Sequence, residues 1–128
     1  MPSILPSLRL RGSLLSSIHR HLEDEELLRF QEELLEMVRQ FEIAHVILDL
    51  SGLEIVDTFM SRQLALIATS CRLMGARVVV AGLQPEVAVT MVEMRHSIPG
   101  VDCALDLDHA LSLVEGGPPG TQPPGTTS

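Results

Sequence analysis

The sequence predicts an α/β fold: a single domain with a mixed β-sheet of about five strands and four α-helices. Two short runs at residues 46–50 and 77–82 are rich in β-branched residues and almost continuously apolar, as is typical of strands covered on both faces. Around them, apolar residues recur at three- and four-residue steps, the spacing of amphipathic helices. Strands that alternate with helices favour a sheet built with right-handed crossovers.

The chain begins with a predicted antiparallel hairpin. Residues 4–10 and 13–18 are short apolar-rich runs, and Gly12 between them can adopt the positive φ of a tight turn. A helix then follows the acidic run at residues 23–26, whose charges suit the positive end of a helix dipole. The face that we expect this helix to bury consists of Leu27, Phe30, Leu34, Val38 and Phe41.

The second half of the chain repeats the strand–helix pattern. A second helix follows the loop at residues 51–57 and ends before Gly75, a common residue at a helix C-terminus. Pro85 suits the first turn of a third helix. A weaker strand spans residues 101–105, and either Asp106 or Asp108 can cap a last helix. The predicted apolar face of the second helix consists of Met60, Leu64, Ile67, Ala68, Cys71 and Met74.

Length and composition predict one domain followed by a tail. The chain has 128 residues, of which 45% are hydrophobic and 20% charged, so it can bury a substantial core. Residues 116–128 are rich in proline and glycine and carry no charge, so we expect them to be disordered. The folded domain should therefore span residues 3–115.

Charge and aromatic content argue against several classes of partner. Asp and Glu number 17 against 9 Lys and Arg, whereas binding to nucleic acid or anionic lipid requires a basic patch. With 3 Phe and neither Trp nor Tyr, the chain lacks a platform for stacking bases. No stretch is long and apolar enough to cross a bilayer, and residues 1–10 do not resemble a secretory signal. We therefore expect a cytoplasmic protein that binds neither nucleic acid nor membrane.

The main candidate site lies where the strand at residues 46–50 leads into the second helix. Thr58 occupies this junction, and functional loops of α/β sheets gather at the carboxyl ends of strands. Its hydroxyl can cap the helix, or it can carry a phosphoryl group, which free helix N–H groups attract. Asp57 and Glu54 would oppose an added phosphate, so the modification would change the local field. The residues alone favour capping, and Thr90, within the third helix, is a weaker candidate for phosphorylation.

Other chemistry has little support in the sequence. Cys71 and Cys103 lie in apolar segments, where we expect both to be buried packing residues. His19 and His21 alternate on a strand-like segment, but no further ligands follow at a known spacing, so we expect no metal site. The sequence also lacks a glycine-rich phosphate loop and a hydrolase nucleophile elbow. It therefore predicts a protein that is not an enzyme and that binds no cofactor.

Four short motifs resemble those of a known family. They are DTF at residues 57–59, LMGA at 73–76, GLQPEVA at 82–88 and, more weakly, ALDL at 104–107. Together they resemble the STAS domain and, more narrowly, the stressosome scaffold proteins of the RsbS type. The resemblance covers nearly the whole predicted domain.

The resemblance implies a regulatory scaffold without enzymatic activity. Such scaffolds co-assemble with a sensor-bearing STAS paralogue of the RsbR type and hold a switch kinase of the RsbT type. On stress, the kinase phosphorylates the scaffold at the residue matching Thr58 and is released to signal, and a phosphatase resets the scaffold. That residue is usually Ser in RsbS-type proteins, whereas the sensor-bearing paralogues have Thr, as this chain does. A second acceptor in those paralogues lies near the position of Thr90.

By this resemblance, Thr58 is the main expected phosphorylation site and Thr90 a lesser one. Asp57, Phe59 and Glu54 are expected to form the partner or assembly surface near the switch. A homo- or hetero-oligomer is implied. The alternative function is that of an anti-sigma-factor antagonist, which would bind an anti-sigma kinase directly through the same fold and helix. A lipid- or nucleotide-binding STAS role is a further alternative.

Overall fold

A computed structural model describes residues 7–10, 12–93 and 101–115 of the chain. They form a five-stranded sheet in the order β1-β2-β3-β4-β5, which confirms the predicted fold class. The expected tail at residues 116–128 lies outside the described residues. The elements are β1 (Ser7–Leu10), β2 (Ser13–Ser17), α1 (Asp24–Gln40), β3 (His45–Asp49), α2 (Thr58–Leu73), β4 (Arg77–Ala81), α3 (Pro85–Glu93), β5 (Val101–Ala104) and α4 (Leu107–Glu115).

The sheet is mixed. β1 pairs antiparallel with β2 through a turn in which Gly12 has a φ of 83°, whereas β2 to β5 are all parallel. Each parallel strand lies beside the next one in sequence, so right-handed crossovers place α1, α2 and α3 on the same face. The parallel strands therefore all end at one edge, where the loops before the four helices emerge. Among the described residues, no helix has both the length and the apolar character needed to cross a membrane.

Two apolar clusters cover the two faces of the sheet. Val46 and Leu48 of β3 belong to the larger cluster, which also contains buried residues of α1, α2 and α3. Ile47, between them, belongs to the smaller cluster beneath α4. Successive residues of a strand point to opposite faces, which explains why this strand is apolar without interruption.

Two residues of the predicted helix faces lie outside the core. Phe41 and Met74 follow the last helical residues of α1 and α2, and they are 37% and 41% exposed. Their predicted burial was wrong because helical periodicity stops where the helix stops. The ring of Phe41 instead contacts the guanidinium of Arg9, which lies 3.6 Å from the ring centroid.

The two cysteines have different surroundings. Cys71 is buried in the larger cluster, as predicted, and this burial raises the pKa of its thiol to about 11. Cys103 is exposed, so the prediction that it packs in the core was wrong. It lies on β5, which is at the edge of the sheet and pairs only with β4 within the described part of the chain.

Candidate functional site

The loop between β3 and α2 is held to the core by apolar side chains. Leu50, Leu53 and Val56 are buried, and the backbone N–H of Leu53 donates to the carbonyl oxygen of Leu50 at 3.0 Å. The residues between these anchors face outward: Glu54 is exposed, and Ile55 is 73% exposed. The loop therefore displays a carboxylate and an apolar side chain on a fixed backbone.

Asp57, not Thr58, caps α2. The Oδ1 atom of Asp57 accepts the backbone N–H of Met60 at 2.8 Å, and its carbonyl oxygen accepts the N–H of Ser61 at 3.0 Å. Thr58 is the first helical residue and is exposed. The expectation that Thr58 caps the helix was wrong, because the aspartate one position earlier has the extended backbone of an N-cap residue.

Thr58 begins an exposed stripe along α2. It is followed at three- and four-residue steps by Arg62, Leu66, Thr69 and Leu73, all of them exposed. We call these five residues the α2 stripe. They lie opposite the buried face of the helix, so Thr58 belongs to the solvent-exposed side of α2.

The structure brings most of the predicted site residues together. Glu54, Asp57 and Thr58 are exposed at one loop–helix junction. Phe59 is partly buried and packs against the larger apolar cluster, so it supports the junction from within. Thr90 lies in α3, a separate element, and its side chain falls outside the described residues.

Neighbouring loops hold the junction in place. The Nε2 atom of Gln84, in the loop before α3, donates to the carbonyl oxygen of Ser51 at 2.8 Å. The N–H of Ser51 also donates to Oδ1 of Asp49 at 3.0 Å. Gly52 approaches the loop before α1 so closely that a Cβ atom there would lie 2.6 Å from Cα of His19. Sequence reasoning missed the contacts of Gln84 with Ser51 and of Gly52 with His19, because periodicity carries no information on which loops meet.

A shallow cleft of about 400 Å³ opens beside this loop. His21, Gly52, Leu53, Glu54 and Ile55 line it. His21 lies in an irregular loop, contrary to the strand-like segment expected from the sequence. Within the described residues, no group of three His, Cys, Asp or Glu side chains is placed to hold a metal ion.

The loop before α1 is held by an ion pair. Both terminal nitrogens of Arg20 donate to the carboxylate of Glu26, at 3.1 and 2.8 Å. The same carboxylate accepts the backbone N–H of Glu23 at 3.0 Å. The hydrogen bond from Arg20, followed by the one from Glu23, lowers the pKa of Glu26 to about 2.

Comparison with known proteins gives a consistent result. The STAS domain pattern matches residues 12–100 of the chain. The RsbT co-antagonist protein RsbRD of Bacillus subtilis (strain 168) is 31% identical over 81 residues, which are 63% of this chain and 29% of that protein. The chain thus spans about 29% of the length of this curated relative.

Two solved structures match over most of both chains. RsbS of Moorella thermoacetica, solved as a serine-to-glutamate variant, has a TM-score of 0.79 and 30% identity, and the match covers 88% of this chain and 95% of that one. A chain from a structure of the stressosome, described as a signal integration and transduction hub, has a TM-score of 0.77 and 32% identity over 87% of this chain and 96% of its own length. The likeness therefore extends beyond the fold to the family.

Proposed function

The chain belongs to the STAS domain family, and within it to the RsbS type, and from this premise we propose that it is a non-enzymatic stressosome scaffold. It sequesters a switch serine/threonine kinase of the RsbT type and releases that kinase once it has been phosphorylated. Its other proposed partners are a sensor-bearing paralogue of the RsbR type and a phosphatase, all in the cytoplasm. The name of the relative RsbRD, an RsbT co-antagonist protein, supports RsbT as the kind of partner proposed.

The exposure of Thr58 is the observation that supports phosphorylation most directly. A kinase must reach the acceptor hydroxyl, and Thr58 is exposed at the first position of α2. The buried anchors Leu53 and Val56 and the Asp57 cap hold the backbone on its N-terminal side. The hydroxyl is therefore presented in a constant position, which suits recognition by a partner protein.

A phosphate on Thr58 would lie near two charges of opposite sign. It would add about −1.5 to −2 charges beside the carboxylate of Asp57, and the repulsion would weaken the cap that this carboxylate forms. Arg62 lies four positions further along the helix, a spacing at which opposite charges attract. We expect the phosphate to turn toward Arg62, so that an uncharged hydroxyl becomes an anionic group at the start of the α2 stripe. A kinase that binds the unmodified junction would then lose complementarity.

The site assignment is tested by phosphorylation with the cognate switch kinase and ATP. Intact-mass spectrometry should show one added phosphate on the chain without substitutions and on Thr58→Ser, and none on Thr58→Ala. Thr90→Ala serves as the matched control and should retain the modification. Equal phosphate incorporation in Thr58→Ala and in the chain without substitutions would exclude Thr58 as the acceptor.

The scaffold role is tested by the size of the assembly. Size-exclusion chromatography with a sensor-bearing STAS paralogue should give a very large co-assembly that retains the kinase. An anti-sigma-factor antagonist would instead form a small binary complex with an anti-sigma kinase. A chain that forms only the small complex would overturn the scaffold proposal in favour of that alternative.

A further inference from the structure

The α2 stripe is a basic and apolar surface in an acidic protein. Leu66 and Leu73 are 48% and 85% exposed. Arg62 on the stripe and Arg72 beside it are exposed, and neither forms an ion pair within the described part of the chain. The helix contains no Asp or Glu, although the whole chain carries a net charge of −8. Both cations are therefore available to an anionic partner.

The acids of the neighbouring helix do not neutralise these cations. α1 packs against α2, but the exposed acids of α1 have cations on their own helix. Glu36 is paired with Arg39. Glu25 lies four residues before the exposed Arg29, and Glu32 lies three residues after it. Opposite charges attract at both spacings on a helix surface. The charge that complements α2 must therefore come from another molecule.

The spacing of the stripe favours a helix as the partner element. Its last four residues follow one another at steps of four, three and four: Arg62, Leu66, Thr69 and Leu73. This is the spacing of the seam along which two helices pack in a coiled coil. In the heptad that begins at Leu66, Arg72 takes position g at the margin of the seam, where charged residues select the partner. The whole stripe is about 22 Å long, which is roughly four helical turns.

We propose that the α2 stripe docks an amphipathic helix of a partner protein, in which acidic residues flank an apolar seam. The apolar residues of that helix cover Leu66 and Leu73, and its carboxylates pair with Arg62 and Arg72. A basic helix would instead place like charges in contact, which opposes association. The net charge of the chain does not prevent docking, because at physiological ionic strength charges beyond about 8 Å are largely screened.

Docking on the stripe also responds to charge at its first residue. Thr58 lies four residues before Arg62 on the same side of α2. An anionic group at Thr58 attracts the guanidinium of Arg62 and repels the carboxylates of the docked helix. This response rests on the phosphorylation proposed above, whereas the docking itself does not.

The test measures binding of a synthetic acidic peptide to the purified full chain by NMR titration at physiological ionic strength. The peptide has about three heptads, with Leu at positions a and d and with Glu at e and g, where like charges keep it from pairing with itself. We expect saturable shifts of the backbone amide signals of Arg62, Leu66 and Leu73. A peptide with Lys in place of every Glu is the matched probe, and it should bind about tenfold more weakly or less.

Substitutions on the chain locate the docking site. Arg62→Glu should raise the Kd of the acidic peptide about tenfold, because it places like charges in contact. Arg29→Glu, which changes an exposed arginine of α1, should leave the Kd nearly unchanged. Leu66→Glu should weaken binding, whereas Leu113→Glu on α4, of similar exposure at 43% against 48%, should not. Circular dichroism checks that each variant is folded.

Several results would overturn the proposal. They are failure of the acidic peptide to bind, equal binding of the two peptides, and equal weakening by Arg62→Glu and Arg29→Glu, which would indicate attraction to charge in general. The response to charge is tested by Thr58→Glu, which should raise the Kd relative to Thr58→Val. Equal Kd values for these two variants would overturn that response alone. None of these results bears on whether a kinase phosphorylates Thr58, so docking and phosphorylation fail separately.

Discussion

The side-chain amide of Gln84 donates a 2.8 Å hydrogen bond to the backbone carbonyl oxygen of Ser51 and so joins the loop before α3 to the loop before α2. Gly82 permits this approach, because a Cβ atom there would lie 2.8 Å from Cβ of Ser51. The two loops follow neighbouring parallel strands, β3 and β4, whose carboxyl ends meet at one edge of the sheet. The loop that leads to Thr58 is therefore joined at its start to a residue of a different loop.

Replacing Gln84 by Ala should loosen the loop at residues 51–57 with little effect on global stability. The bond is at the surface, so water can replace it, and the stability cost should be about 1 kcal/mol or less. Hydrogen exchange followed by mass spectrometry should show faster exchange in this loop. Gln40→Ala, an exposed glutamine at the end of α1, is the control. Unchanged exchange at residues 51–57 would mean that the bond does not restrain the loop.

Asp57→Ala should destabilise the protein by about 1 kcal/mol, because it removes the side chain that accepts the N–H of Met60. Asp57→Asn should remain near the original stability, since asparagine is an equally good N-cap residue. Urea denaturation measures both changes. Glu54→Ala, an exposed carboxylate of the same loop, provides the reference. Equal stabilities of Asp57→Ala and Glu54→Ala would show that the cap makes no net contribution.

Gly52→Ala should cost about 1 to 3 kcal/mol, the range for forcing extra atoms into a packed contact. The added Cβ would lie 2.6 Å from Cα of His19, so one of the two loop backbones must move. Urea denaturation gives the cost, and the backbone amide of His19 should shift in the NMR spectrum. Ser51→Ala, next in sequence, keeps its Cβ and its backbone hydrogen bonds, so it should change neither quantity. An unshifted backbone amide signal of His19 in the NMR spectrum of Gly52→Ala would contradict the predicted clash.

The ion pair between Arg20 and Glu26 should make stability depend on acid pH. The folded pKa of Glu26, about 2, is below its ordinary value of 4.5. Its contribution is therefore complete above about pH 4.5 and is lost as the pH falls toward 2. Glu26→Gln should lower the melting temperature at neutral pH, and the difference from the original chain should shrink over that interval.

Asp24→Asn is the control for this effect, because it lies in the same helix turn but has no ion pair among the described residues. The difference in melting temperature between Asp24→Asn and the original chain should show no decrease at low pH that arises from the ion pair with Arg20. Melting curves recorded from neutral pH down to pH 2 provide the comparison. A difference between Glu26→Gln and the original chain that is constant over the whole range would contradict the linkage.

Local periodicity predicted the elements well but not their ends. Residues 46–48 alternate between the two clusters, as an uninterrupted apolar strand requires. Phe41 and Met74 continue the helical spacing and yet lie beyond the last turns. Spacing alone cannot reveal where a helix ends, because the end depends on how its last carbonyl groups are satisfied. Cys103 was misplaced for a related reason: an apolar strand is buried only where another element covers it.

The sequence identified the junction before α2 correctly, but it assigned the helix cap to Thr58, one residue after the observed cap, Asp57. Both Asp57 and Thr58 are residue types that cap helices, and sequence does not distinguish them. The structure does, because Asp57 has the extended backbone of an N-cap and Thr58 is already helical. This leaves the Thr58 hydroxyl on the exposed stripe, as a phosphoacceptor requires.

By itself the sequence determined the order of strands and helices, the two-sided burial of the central strands and the junction that carries Thr58. Each of these follows from local spacing and side-chain chemistry, which the chain carries within a few neighbouring residues. Only the tertiary structure decided which distant residues meet: Gln84 with Ser51, 33 positions apart, and Gly52 with His19. It also packed α1 against α2 over a shared apolar cluster. Such contacts depend on strand order and loop path, which arise only when the whole sheet is assembled.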